Sequence, residues 1–238
     1  SYIDTNITGT YNILNAAKIN EISKTFITST SEVYGTAKKI PILESHLLNA
    51  QSPYAASKIG ADQLALSFHK SYGLPLTIIR PFNTFGPRQS ARAIIPTIIT
   101  QILQNKNVIK LGNLTPTRDF TYIEDTVSAF LSAMKAKKIS GEVINIGSKF
   151  EISVKDILEI LNKDFGYHFE IKIDKKRVRG KKSEVYRLFA SNAKAAKFLG
   201  WHPKYGGLKG FKKALQKTIH WFSDPKNLKY YNSDIYNI

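Results

Sequence analysis

Three short runs rich in apolar and β-branched residues, Lys24–Thr30, Leu76–Arg80 and Val143–Ile146, alternate with stretches of helical spacing at Asp4–Lys18, Pro53–Tyr72 and Glu124–Lys135. Strands covered on both faces read as continuous apolar runs, and parallel strands need long crossovers that are usually helices. The alternation therefore predicts an α/β fold. On the first helix Ile7, Tyr11, Leu14 and Ala17 fall on one side. Further along, the pattern predicts a helix at Ile94–Gln104, a short strand at Asp119–Ile123, a helix at Val154–Leu161 and a strand at Phe169–Ile173. Two more helices end near Phe222. At 238 residues and 42% hydrophobic, the chain can bury one large core or two small ones.

Composition narrows the function classes. With no cysteine, disulfides and thiolate metal ligands are excluded, and a reducing, cytoplasmic compartment is expected. No apolar run reaches the ~20 residues that span a bilayer, so no membrane association is expected. The five histidines offer no close pair in sequence, and no metal site is expected. A net charge of +17 raises the question of nucleic acid, but the lysines are scattered apart from one dense run at Lys175–Lys182. No nucleic-acid-binding signature accompanies them. A solvated basic surface, whose rim attracts an anionic nucleotide diphosphate, accounts for the charge.

The chemistry concentrates at strand ends. Ser52 is a good N-cap and Pro53 suits the first helical position, so Tyr54 and Lys58 lie one turn apart on a single helix face. A nearby ammonium favours the phenolate and lets a tyrosine act as a base nearer neutrality. Upstream, Thr28-Ser29-Thr30-Ser31-Glu32-Val33-Tyr34-Gly35 carries hydroxyls and a carboxylate off the end of a strand. Downstream, Arg80-Pro81-Phe82-Asn83-Thr84-Phe85-Gly86-Pro87-Arg88 breaks from a second one. Ligands of parallel sheets bind beyond the carboxyl ends of the strands, where these residues fall.

Together with Asn6, the Arg118-Asp119-Phe120 run and Leu199-Gly200-Trp201, these segments resemble the extended short-chain dehydrogenase/reductase family, the NAD-dependent epimerases and dehydratases of nucleotide sugars. The resemblance implies the C-terminal part of a Rossmann-type parallel sheet in residues 1–150, with some substrate-lobe segments interleaved. It places a smaller α/β substrate-binding lobe in 151–238. It also implies NAD as cofactor, a nucleotide-diphosphate sugar as substrate, and a homodimer formed through Tyr11–Lys18 and Tyr54–Tyr72. Tyr54 would take the proton of the sugar 4-hydroxyl, and Thr30 would hydrogen-bond that hydroxyl. Lys58 would lower the tyrosine pKa and bind the nicotinamide ribose, with Pro81 beside the cofactor. Asn83, Arg88, Arg118 and Arg179 would hold the substrate.

Glu32 and Ser31 bear on the reaction. A 4-epimerase needs no second base, whereas 4,6-dehydratases of the family use a carboxylate at the Glu32 position to take the C5 proton. Their usual Thr-Asp-Glu reads Thr30-Ser31-Glu32 here, and a serine is a much weaker acid than the aspartate that protonates the departing hydroxyl. Uronate decarboxylases also carry Ser-Glu, but with Tyr-Asp-Glu-Gly-Lys where this chain has Tyr54-Ala55-Ala56-Ser57-Lys58. The runs Gln51–Asp62 and Arg80–Pro96, with Lys182–Val185 and Asp234–Asn237, look closest to the amino-sugar dehydratases of the legionaminic acid pathway, which implies a nucleotide-linked N-acetylglucosamine. A dehydratase leads; an epimerase, a decarboxylase and an inactive remnant that only dimerises or binds nucleotide stand as alternatives.

The family's glycine-rich pyrophosphate turn, Gly-x-x-Gly-x-x-Gly or Gly-x-Gly-x-x-Gly, does not occur in these residues. The expectation is a fragment that begins inside the cofactor domain, with Phe26, Ile27, Ile78 and Ile79 partly stranded, poorly stable and inactive by itself, and with weak NAD binding.

Overall fold

The computed structural model describes residues 1–104, 107–178, 180 and 182–231; Arg179 and the Asp234–Asn237 segment lie outside them. The chain enters through a widened helical turn at Ile3–Thr8 and continues as α1 (Gly9–Ile19), β1 (Thr25–Thr28), a 3-10 turn at Ser31–Tyr34, a long loop and α2 (Pro53–Tyr72). Next come β2 (Leu76–Pro81), β3 (Thr84–Phe85), α3 (Ile94–Leu103), β4 (Val108–Leu111), β5 (Thr117–Asp119), β6 (Thr121–Tyr122) and α4 (Ile123–Lys135). The remainder is β7 (Val143–Ile146), β8 (Glu151–Ser153), α5 (Val154–Lys163), β9 (Glu170–Ile173), β10 (Arg187–Leu188), α6 (Ala193–Leu199), α7 (Gly207–Ser223) and α8 (Pro225–Leu228).

The three apolar runs form one parallel sheet in the order β1-β2-β7, as the α/β reading requires. Alternation along the strands sends side chains to both faces. Ile27, Leu76 and Ile78 meet Leu14, Ala17, Ala65 and Phe68 of α1 and α2. Ile79, Ile144 and Ile146 meet Ala129, Ala133 and Ala195 of α4 and α6, with Trp201. The expected stranding of apolar residues is corrected here. Ile27, Ile78 and Ile79 are buried, because these helices cover both faces, and only Phe26 is half-buried. Among the described residues β1 pairs with β2 alone. On the other side of the sheet, Glu44 of the long loop accepts the Asn145 amide of β7 at 2.9 Å, a side chain supplying what a further strand would.

A second, larger core joins Phe85, Ile95, Ile98, Ile109 and Phe120 to Ile157, Leu161, Phe211, Leu215 and Phe222. It draws on segments from both sides of residue 150, while α6 packs back onto the parallel sheet.

Two local expectations change. The first helix is not α-helical from Asp4; its widened first turn brings Asn6 over α2, where Nδ2 donates to Ser57 Oγ at 2.9 Å. The strand expected at Asp119–Ile123 divides at Phe120, because β5 joins β8 and β10 while β6 joins β3. Phe120 turns into the second core at that break.

Asp119 ties the two cores together. Fully buried, its carboxylate accepts from the Ser148 amide and hydroxyl, both at 2.6 Å, and from the Ala190 amide at 3.3 Å. Burial pushes its pKa up to about 6 despite these donors. A pKa raised in the folded state means that the native chain holds the proton more tightly than the unfolded one. Stability from this group is therefore complete below the ordinary carboxyl pKa of ~3.9 and lost as pH rises through about 6. Urea unfolding of wild type and Asp119→Asn should show the wild-type advantage shrinking by about 2 kcal/mol between pH 4 and pH 7. An advantage that grows over that range would mean that the donors outweigh burial.

Candidate active site

The site is built at the carboxyl ends of β1 and β2. Past β1 the chain extends through Thr30, whose hydroxyl accepts the Glu32 amide at 3.2 Å and so caps the 3-10 turn. Gly35 closes that turn at φ +62°, where a Cβ would strike the Asn49 carbonyl; only glycine fits. The turn buries Ser31 and leaves Glu32 half-exposed toward a cavity. Helix α2 starts as expected: Ser52 accepts the Ala55 amide at 3.1 Å and Pro53 follows it.

Tyr54 and Lys58 therefore share the helix face that looks onto the end of β1. Burial pushes the Tyr54 phenol pKa above its ordinary value; the neighbouring Thr30 hydroxyl opposes this, and the charge of Glu32 reinforces it. The direction differs from the lowering expected of Lys58. The reason is geometric: Lys58 Nζ donates to the Thr28 carbonyl at 2.7 Å, and Asp62 is the charge that acts on it. Burial holds the lysine below its usual range, and Asp62 pushes it back up.

Behind this face lies a buried polar network. Arg80, at the end of β2, donates to Asp62 Oδ2 from Nε at 3.0 Å and from its terminal nitrogen at 2.9 Å, and to the Tyr34 hydroxyl at 2.8 Å. Ser29 also donates to Asp62 Oδ2 at 2.9 Å, and Tyr34 donates to Asn145 at 2.7 Å. The network links β1, α2, β2, β7 and the Glu32 turn. Neither Asp62 nor Arg80 carries a role legible from the sequence, although an arginine ending an apolar strand signals a buried partner.

A cavity of about 270 Å³ opens beside Glu32. Asn83, Gln89, Arg92, Arg118, Arg177 and Glu184 line it. Arg118 donates to Glu184 at 3.5 Å, and three guanidinium groups against two carboxylates leave the wall cationic. Asn83 Oδ1 is buried and accepts no hydrogen bond among the described residues. Of the expected substrate residues, Asn83 and Arg118 thus share the cavity with Glu32. Arg88 stands on an exposed turn outside the lining, and Arg179 lies outside the described residues. Arg92, Arg177 and Glu184 were not assigned; the cationic run at Lys175–Lys182 was the signal for Arg177. Pro81 ends β2, paired with Ile146. Among the described residues no group of three or more His, Asp or Glu side chains is gathered as a metal would require, and no helix is long and apolar enough to cross a membrane.

A model of the GDP-mannose 4,6 dehydratase family matches residues 1–214. The chain belongs to this family. It is a member of the NAD-dependent epimerases and dehydratases of the short-chain dehydrogenase/reductase type. A putative UDP-glucose 4-epimerase of Methanocaldococcus jannaschii is 32% identical over 93% of this chain and 70% of its own length. A dTDP-glucose 4,6-dehydratase of Streptomyces antibioticus is 30% identical over 94% of the chain and 64% of its own. Among solved structures, UDP-glucuronic acid 4-epimerase of Bacillus cereus, with UDP-glucuronic acid and NAD, superposes with a TM-score of 0.83 at 31% identity. It covers 92% of this chain and 67% of that one. dTDP-glucose 4,6-dehydratase of Bacillus anthracis, with NAD, gives 0.84 at 31% identity, covering 94% and 69%. The chain thus spans about two thirds of the length of these relatives.

The Asp62–Arg80 pair should dominate the stability of the site. Asp62→Asn leaves a buried guanidinium without its counter-charge and should cost about 3–5 kcal/mol in urea unfolding. A loss below 1 kcal/mol would mean that water reaches Arg80.

Proposed function

We propose that this chain carries the catalytic and substrate-binding part of an NAD-dependent nucleotide-sugar 4,6-dehydratase acting on a nucleotide-linked N-acetylglucosamine. The observation that carries this reading is the position of Glu32. Its carboxylate lines the cationic cavity and lies near enough to Tyr54 to raise the phenol's pKa. An epimerase needs only one proton-transfer group at C4, so a carboxylate beside the Tyr54 phenol, a second such group, favours dehydration.

The residues present fit the nicotinamide side of a dinucleotide: a half-buried tyrosine and lysine on one helix face, with Pro81 at the neighbouring strand end. NAD, when bound, supplies the acceptor and later the donor of hydride. Tyr54 takes the proton of the sugar 4-hydroxyl, and Thr30 holds that hydroxyl. Lys58, released from the Thr28 carbonyl, binds the ribose and stabilises the phenolate. Once C4 is a ketone, the C5 proton is acidified and Glu32 removes it. Ser31 is buried in place of the usual acid, so the departing 6-hydroxyl takes its proton from Glu32 or from water that Glu32 orients. Arg118, with Arg92 and Arg177, suits the geometry of a diphosphate, and the Asn83 side chain stands in the same lining. Arg88 and Arg179 remain candidates from the family resemblance.

In the whole protein, Glu32→Gln should keep C4 oxidation and slow elimination by about 10²–10⁴. NADH absorbance would then persist in a single turnover, and no solvent deuterium would enter C5. Tyr54→Phe should give no NADH. Dehydration by Glu32→Gln at the wild-type rate would sink the reading, and inversion at C4 without loss of water would establish the epimerase.

The same reading includes a homodimer through α1 and α2. Tyr11 and Tyr72 flank Phe68 there and stand 47% and 56% exposed. Sedimentation at micromolar concentration should give twice the chain mass, and Tyr11→Glu should halve it. A wild type that sediments as a monomer would remove this part of the proposal.

A further inference from the structure

The wall of the cavity nearest α3 is the 82–93 loop, and it is not self-supporting. Arg88 has φ +63°, in the left-handed region that a residue with a Cβ adopts at a cost, and the next residue, Gln89, lines the cavity. Gln89 Nε2 donates to the Thr84 carbonyl at 2.7 Å, which fixes the amide's orientation. Its Oε1 is buried and accepts no hydrogen bond among the described residues. The backbone carbonyl of Gln89 is engaged from far along the chain, where the Tyr231 hydroxyl donates to it at 3.0 Å.

Tyr231 is itself anchored. Its ring packs edge-on against Phe222 at 4.8 Å and Trp221 at 6.3 Å, both at the end of α7. Gln104, just past α3, donates to its carbonyl at 2.8 Å, and Asn227 donates to the Trp221 carbonyl at 2.9 Å. The segment Asp224–Tyr231 therefore forms a strap, clamped to α7 at one end and to α3 and the cavity loop at the other.

We propose that Tyr231 is a positioning residue of the substrate cavity: its hydroxyl holds the strained Arg88–Gln89 turn, and with it the wall formed by Gln89, Arg92 and Ala93, in the shape that receives the bound ligand. The identity of that ligand as a nucleotide sugar rests on the function proposed above; the strap itself does not.

The test uses the 238-residue chain, hydrogen exchange, and UDP-N-acetylglucosamine as the probe. Tyr231→Phe keeps the ring packing and removes only the hydroxyl. Amides of residues 86–93 should exchange about tenfold faster, as expected for losing one hydrogen bond, while those of β1 and α2 keep the wild-type rate. Calorimetry should show about tenfold weaker binding of the probe. Unchanged exchange at 86–93 in Tyr231→Phe overturns the proposal, and so does wild-type probe affinity in that variant. A wild type that does not bind the probe would count against a uridine-linked N-acetylglucosamine as the substrate, and the exchange data would still decide the strap.

Discussion

Asp62 and Arg80 form a charge pair removed from water, and the candidate catalytic face is assembled around it. Two opposite charges in a protein interior are tolerable only when their attraction and hydrogen bonds offset the lost water. Here Asp62 Oδ2 receives Ser29 as well as two Arg80 nitrogens, Arg80 also meets the Tyr34 hydroxyl, and Asp62 Oδ1 is buried and accepts no bond among the described residues. Each of those partners sits on a different element. Holding the pair together therefore fixes the end of β1, the middle of α2, the end of β2 and the turn carrying Glu32 relative to one another. Tyr34 passes the constraint on to Asn145 of β7, whose side-chain amide in turn donates to the Ile42 carbonyl at 3.1 Å. Of the groups proposed to do the chemistry, Thr30, Glu32 and Lys58 lie within four residues of a member of this network, and Tyr54 stands one turn before Lys58.

The cavity has a different origin. It forms where the loop after β2 meets segments of the second core, and its wall comes from stretches as distant as Glu32, Asn83, Arg118, Arg177 and Glu184. Gln51 helps to close it from the α2 side by donating to the Glu184 carbonyl at 2.9 Å. Asp119 stands beside Arg118 but faces inward, joining β5 to the Gly147–Ser148 turn after β7. One residue of the Arg118-Asp119 pair thus lines the cavity, and the other joins segments of the two cores.

Much of the framework was legible from the order of residues. The apolar runs at residues 24–30, 76–80 and 143–146 became the parallel sheet, and Ser52-Pro53 began α2 where capping chemistry placed it. The short ribbons were not legible. Strands β3, β4, β8 and β10 are two to four residues long, too few to show a period, and each exists because a partner far away in sequence supplies its hydrogen bonds. The break at Phe120 is of the same kind. Nothing local distinguishes Asp119–Ile123 from one strand; two competing sheets do.

At the level of the site, the sequence by itself determined which chemical groups exist and which share a helix face: Tyr54 and Lys58 by their spacing, and Thr30, Glu32 and Asn83 by their place at strand ends. Those relations are set by helix and strand periodicity and need no knowledge of the rest of the chain. Charge states and partnerships were decided only in three dimensions. Burial raised the Tyr54 phenol while Lys58 turned to the Thr28 carbonyl, and Arg118 found Glu184 across a separation of 66 residues. Desolvation and long-range hydrogen bonding depend on what else fills the space around a group, and that is settled by packing, not by the residues on either side of it.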